Sequence, residues 1–275
     1  MIRKLYLLNE TGAPYFFDKL HNTLIEKIDG LGFDYDITYQ EFDTDYVEVT
    51  RKLSRRTISL ELVFLKGYKG FTEWREYVTK SKSLKLVYKA DGEKYCFVNV
   101  KSSTKGQLTS QTIKSKVTLD CLSSWFVDKT VRIDVVDEGG GKVYSYSYPY
   151  VYSLSFNGKV NVFNNSNKSV PLHIKISGNC LNPRVIIRQN GVDIQGLRIL
   201  TDERNSPVIE ISSRATEQYI IKRENGEVLD YYSLQDFTYD NFLFLPPGES
   251  EIFFDPGVRE RCSCQISYKE EFIAH

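Results

Sequence analysis

Four short pairs of residues constrain this chain more than anything else in it: Asp91-Gly92, Asn157-Gly158, Asn190-Gly191 and Asn225-Gly226. Each sits between two runs in which apolar and polar residues alternate. Leu84-Lys85-Leu86-Val87-Tyr88 meets Tyr95-Cys96-Phe97-Val98 across the first pair. Residues 152–156 meet 160–163 across the second, 185–188 meet 192–194 across the third, and 219–222 meet 228–232 across the fourth. A two-residue type I′ turn needs positive φ at both central positions, which Asn, Asp and Gly adopt at least cost. Its twist also matches that of the flanking strands. Four such hairpins predict a mainly β, antiparallel protein. The 19 Tyr and 16 Phe, against 2 Trp and 1 Met, suit strands whose flat rings cover a pleated face.

Helical spacing is rarer. Phe71, Trp74 and Val78 share one face of a predicted helix that follows Gly70 and ends before residues 81–83. Leu20, Leu24 and Ile28 recur every four residues, which predicts a second helix over 19–28 or an extended loop there.

With 275 residues there is room for two domains. Lys plus Arg and Asp plus Glu both number 36. That balance argues against a protein built mainly to hold nucleic acid and against a chain kept unfolded by self-repulsion. Residues 1–130 carry 21 basic and 17 acidic groups, and the remainder 15 and 19. The predicted domains are 1–130, strands with a helix, and 131–275, strands and turns throughout. Gly139-Gly140-Gly141 would be a flexible hairpin tip at the start of the second. No run approaches the ~18–20 apolar residues of a membrane helix. Residues 1–10 are too soon charged for a signal peptide. Five scattered cysteines without a CxxC pair fit synthesis in a reducing cytoplasm.

Chemistry-bearing patterns are missing. His21, His173 and His275 stand in no triad-like setting. Cys262 and Cys264 share a strand face but lack two further soft ligands at metal-site spacing, so they read as small buried apolar residues. No GxSxG, Walker A, GxGxxG or HExxH occurs. The expectation is no enzyme, no cofactor and no metal.

One charge pattern stands out. Asp34, Asp36, Glu41, Asp43, Asp45 and Glu48 precede Arg51, Lys52, Arg55 and Arg56. It reads either as a solvated hairpin with cross-strand ion pairs of little value, or as a protruding hairpin with acidic and basic edges. The second kind could choose a partner in a head-to-tail ring.

A family resemblance now enters. Gly30-Leu31-Gly32-Phe33-Asp34-Tyr35-Asp36, the strand over 56–64, the helix at Trp74, the Asp91-Gly92 hairpin and the closing Val117-Thr118-Leu119-Asp120-Cys121-Leu122-Ser123-Ser124-Trp125-Phe126 follow one order. Val162-Phe163-Asn164-Asn165, residues 174–178, residues 182–187 and Leu245-Pro246-Pro247-Gly248-Glu249-Ser250-Glu251-Ile252 continue it. This order resembles the distal tail proteins (Dit) of long-tailed, non-contractile phages. The resemblance implies an N-terminal split β-barrel-like domain with one helix and a long hairpin, closed as a hexameric ring around the tail channel. It implies a C-terminal galectin- or carbohydrate-module-like β-sandwich outside the ring. The implied partners are the tail tube protein above, the tail-associated tip protein below and receptor-binding or other baseplate proteins at the sides. DNA would be only cargo in the channel, and the location the tail tip of a virion made in the host cytoplasm. Glu41, Asp43, Asp45, Glu48, Arg51, Lys52, Arg55 and Arg56 fall where the family carries its ring-forming hairpin. One alternative is a module that binds host cell-wall glycan, with Tyr144, Tyr146 and Tyr148 alternating along one strand ahead of Tyr150 and Tyr152. Another is a different baseplate component of a phage-tail-like particle.

Overall fold

The computed structural model describes residues 4–90, 92–135, 158–258 and 260–274. The chain divides into two units: Met1–Val127 with Phe272–His275, and Asp128–Glu271. The first passage between them lies at Val127–Asp128, and Phe272–His275 are grouped with the first unit.

In the first unit, β1 (Lys4–Asn9), β2 (Pro14–Phe16), β3 (Thr23–Asp29), β4 (Tyr35–Phe42), β5 (Asp45–Leu53) and β6 (Thr57–Phe64) precede α1 (Tyr68–Lys80). Then come β7 (Leu84–Lys89), β8 (Glu93–Ser103), β9 (Leu108–Thr109), β10 (Thr112–Cys121) and the start of β11 (Trp125–Val135). The long strand β8 pairs with β7 through its first half and with β10 through its second. The sheet therefore runs β2-β1-β7-β8-β10-β6-β3 and turns about β8. Its edges are β2 and β3, so the barrel is split and not closed. Tyr15 Oη and Thr23 Oγ1 lie 2.9 Å apart between those two edge strands.

Strand alternation builds the core. Ile58, Leu60, Leu62 and Phe64 on β6, and Ile113, Val117 and Leu119 on β10, are fully buried. Each contributes on the order of 1.5–3 kcal/mol. The expected helix forms over Tyr68–Lys80 and buries Trp74, with Phe71 and Val78 half-buried against the same core. The Trp74 indole donates to Ser103 Oγ at 3.1 Å, so its one polar atom is satisfied. At the C-terminal end, Ser81 Oγ donates to the Tyr77 carbonyl at 2.7 Å.

The second helix expected over 19–28 is instead a turn followed by β3. The Asp18 carboxylate accepts from the His21 backbone and ring, which bends the chain before Thr23. Leu20 is left 88% exposed, while Ile25 and Ile28 pack on the core with a register shift between Ile25 and Lys27.

The second unit continues with β12 (Gly158–Asn164), β13 (Val170–Pro171), β14 (His173–Gly178), β15 (Cys180–Leu181), β16 (Arg184–Gln189), β17 (Val192–Arg198) and β18 (Asp202–Glu203). It ends with β19 (Val208–Arg214), β20 (Glu217–Glu224), β21 (Glu227–Asp230), β22 (Phe244–Leu245), β23 (Gly248–Asp255) and β24 (Cys262–Phe272). One sheet runs β11-β24-β14-β19-β20-β21, and the other runs β12-β23-β16-β17. Ile174, Ile176, Ile209, Ile211 and Ile266 from the first pack with Val185, Ile187, Ile252 and Phe254 from the second in one core. This is a β-sandwich.

Asn190-Gly191 and Asn225-Gly226 take positive φ at both positions, as the expected type I′ turns require. Strands β7 and β8 pair as expected, while Asp91 of the expected turn lies outside the described residues. Asn157 lies outside the described residues, and β12 after it pairs with β23. The Gly139–141 run also lies outside them. Cys262 and Cys264 are buried, and all five cysteines are unbridged thiols.

Candidate assembly interface

Strands β4 and β5 form a two-stranded sheet of their own, leaving the barrel at Phe33 and returning at Ser54. Their register runs from Tyr35 opposite Leu53 to Phe42 opposite Asp45, with a bulge between Thr38 and Tyr39. Strand side chains alternate between faces, and the extra residue of the bulge is Val49 on β5, where the register skips from Thr50 to Glu48. One face therefore gathers Tyr35, Ile37, Tyr39 and Glu41 with Leu53, Arg51, Glu48 and Tyr46. The other carries Asp36, Thr38, Gln40 and Phe42 with Lys52, Thr50, Val47 and Asp45.

Apolar surface is uncovered on both faces. Tyr39 and Tyr46 are 54% and 68% exposed on the first, Phe42 and Val47 are 54% and 51% exposed on the second, Val49 at the bulge is 55% exposed, and every residue of β5 is exposed. An isolated two-stranded ribbon is marginal in water. Clustered large apolar side chains left exposed along one mark an interaction surface.

Charged residues singled out in the sequence divide into three groups. Glu41, Asp43, Asp45 and Lys52 stand exposed on the ribbon or at its tip. Glu48 and Arg51 pair with each other at 2.7 Å, and the Arg51 guanidinium lies 5.3 Å from the Tyr35 ring centroid. Arg55 and Arg56 face the barrel. Arg55 pairs with Asp120 at 3.1 Å. Arg56 donates to the Ile273 carbonyl at 2.9 Å and toward Cys121 Sγ at 3.5 Å, and its guanidinium lies 5.2 Å from the Trp125 ring centroid.

A cavity of about 200 Å³ opens at the ribbon root, among Phe33, Leu53, Arg55, Arg56, Cys121 and Ile273. Behind it Cys96 and Cys121 share a hydrogen bond. That bond and burial push the Cys96 thiol up, while the same bond, then Arg56, draws Cys121 down.

Sequence reading by charge missed the exposed apolar residues of the ribbon. Their signal was Tyr39, Phe42, Tyr46, Val47, Val49 and Leu53 interleaved with the charges. The candidate glycan-facing Tyr144, Tyr146 and Tyr148 lie outside the described residues. The second unit does carry an open groove of about 410 Å³ lined by Arg184, Gln195, Thr238, Tyr239 and Asp240. Its Tyr239 ring packs on Gly196, with Arg198 5.3 Å from the ring centroid. Among the described residues, no group of three or more His, Cys, Asp and Glu could hold a metal, and no helix is long and apolar enough to cross a membrane.

Comparison with known proteins closes the question of kinship. Residues 4–122, nearly the whole first unit, match the family described as distal tail protein, N-terminal domain. Residues 4–122 thus carry the N-terminal domain of a distal tail protein. Its fold is similar over the full length to a chain in the structure of the phage P2 baseplate in its activated conformation with Ca, with a TM-score of 0.62 at 14% identity and 100% of both chains covered. It is similar also to the SPP1 Dit protein, described as a paradigm of the hub adsorption apparatus in phages infecting Gram-positive bacteria. There the TM-score is 0.62 at 10% identity, covering 98% of this chain and 99% of that one. Among curated proteins no match is found. The ribbon of β4 and β5 projects from this distal-tail-protein domain.

Proposed function

We propose that this protein is the hub of a phage tail tip. Six copies would close through their first units into a ring that joins the tail tube to the tip and host-adsorption proteins, with the second units outside. The role is a scaffold's and not an enzyme's. The observation that carries it is the projecting ribbon of β4 and β5. Its large apolar side chains stand exposed on both faces among the described residues, and a neighbouring protomer covers them. The exposed charges Glu41, Asp43, Asp45 and Lys52 then orient the partner, while Arg55 and Arg56 hold the ribbon root. Support also comes from the Dit N-terminal domain and from the full-length likeness to a baseplate chain.

Light scattering with negative-stain imaging tests the reading. A particle of six 31.8 kDa chains with a central hole is expected. Val47→Ser with Val49→Ser should leave the fold intact and abolish the particle. A wild-type chain that stays monomeric, alone and with its tube and tip proteins, overturns the proposal.

A further inference from the structure

The tip of the ribbon has a definite chemistry. Phe42 and Val47 present apolar surface on one face, and Glu41, Asp43 and Asp45 surround them with negative charge. Asp43 takes φ 54° in the turn, so the tip is a fixed bend.

A surface with the opposite chemistry lies in the same unit. Tyr68 and Leu108 are 55% and 45% exposed. Gly67 sits beneath Leu108: a Cβ there would meet Leu108 Cδ1 at 2.8 Å, so the leucine lies flat on backbone. The Lys105 ammonium is 4.6 Å from the Tyr68 ring centroid, and Lys66 and Lys69 are exposed on either side of Tyr68. The result is an apolar patch with Lys105 over its Tyr68 ring and two exposed lysines, Lys66 and Lys69, within two residues of Tyr68 in the chain.

The two surfaces lie at opposite ends of β6. The ribbon enters β6 at Thr57, and the patch follows Phe64, eight residues and about 25 Å along the strand. The ribbon does not reach its own patch, since its tip is exposed. Two different, complementary patches on one chain make a heterologous contact, which propagates from copy to copy and closes into a ring when the rotation allows.

We propose that the ribbon tip docks on the Tyr68–Leu108 patch of a second copy of this chain, with Glu41, Asp43 and Asp45 meeting its Lys66, Lys69 and Lys105. This rests on the assembly reading above and assigns the surface that receives the ribbon. Apolar burial of Phe42 and Val47 holds the contact. The charges fix its polarity and make it salt-sensitive.

Charge-reversed full-length chains test it. One carries Lys66→Glu, Lys69→Glu and Lys105→Glu, and the other carries Glu41→Lys, Asp43→Lys and Asp45→Lys. Each alone should lose the oligomer in light scattering while melting within a few degrees of wild type. An equimolar mixture should regain it, because the copies can alternate around a ring with matched charges at every contact. The docking is overturned if either variant assembles alone as wild type does, or if the mixture of folded variants stays apart. If wild type assembles and patch reversal changes nothing, the docking falls and the hub reading stands. Open chains or dimers that obey the charge swap would keep the docking and remove the six-fold ring. A wild type that never associates removes both.

Discussion

Arg56 stands with its guanidinium 5.2 Å from the centroid of the fully buried Trp125 ring, joining the ribbon root to the barrel across 69 residues of sequence. Its hydrogen bond to the Ile273 carbonyl adds a second tie. Arg56→Gln should therefore cost about 2 kcal/mol, from a lost cation–π contact and a half-buried acceptor left short. Arg55→Gln should cost under about 1 kcal/mol, since its pair with Asp120 is exposed on the arginine side. Urea unfolding of the two variants checks the contrast. Equal costs would mean that Arg56 is a surface residue.

Cys121 should be the first cysteine to react with iodoacetamide. It lines the root cavity, and its hydrogen bonds from Cys96 and then Arg56 favour the thiolate over the opposing effect of burial. Burial pushes Cys180 up to about 12 and Cys262 to about 11 and raises Cys264 as well. Peptide mass mapping over a time course reads the order, and modification of Cys180 at the same rate as Cys121 would refute it.

The second unit contains a nearly buried ion network. Lys222 Nζ lies 2.8 Å from Glu203 and 2.7 Å from Glu224, and Tyr231 Oη donates to Glu203 at 2.7 Å. Lys222→Met strands the Glu203 carboxylate and should cost about 3 kcal/mol, with much of the loss recovered by adding Glu203→Gln. Burial raises the Glu203 pKa, but its hydrogen bonds from Lys222, Thr201 and Tyr231 outweigh it and hold the group below the usual glutamate range. Its stabilisation is thus complete above pH 4.5 and is lost as the pH falls further. Thermal melts of wild type and the single and double variants from pH 7 to 3 measure both effects.

His173 responds in a different pH range. Burial first, and Arg214 next, lower its pKa below 6.5 in the folded state. The unfolded chain then takes up a proton that the folded chain resists, so stability falls as the pH drops below about 6.5 and levels off below the folded pKa. His173→Gln should remove that part of the slope in melting temperature. An unchanged slope between pH 7 and 5.5 would assign it to other groups.

Local turn chemistry was legible in the sequence because it depends on neighbouring residues alone. Asn190-Gly191 and Asn225-Gly226 formed the expected turns, and the Trp74 face formed the expected helix. The failed helix over 19–28 has an arithmetic cause. Residues four apart match a strand's two-residue period as well as a helix turn, so Leu20, Leu24 and Ile28 could not separate the two. The ribbon was visible as charge, yet the placing of Glu48 on the same face as Arg51 depends on a bulge at Val49 that a single sequence does not reveal. The inward role of Arg56 depends on Trp125 and Ile273, partners that local reading cannot reach.

The bond from Arg56 to Ile273 spans 217 residues. During synthesis the ribbon root therefore lacks its last tie until residue 273 has been made. By then the whole second unit has been translated. A chain broken off within that unit would carry a complete ribbon on an unfinished base. The fold thus makes the strength of the connecting arm report on whether the rest of the polypeptide is present, which would bias assembly toward complete copies.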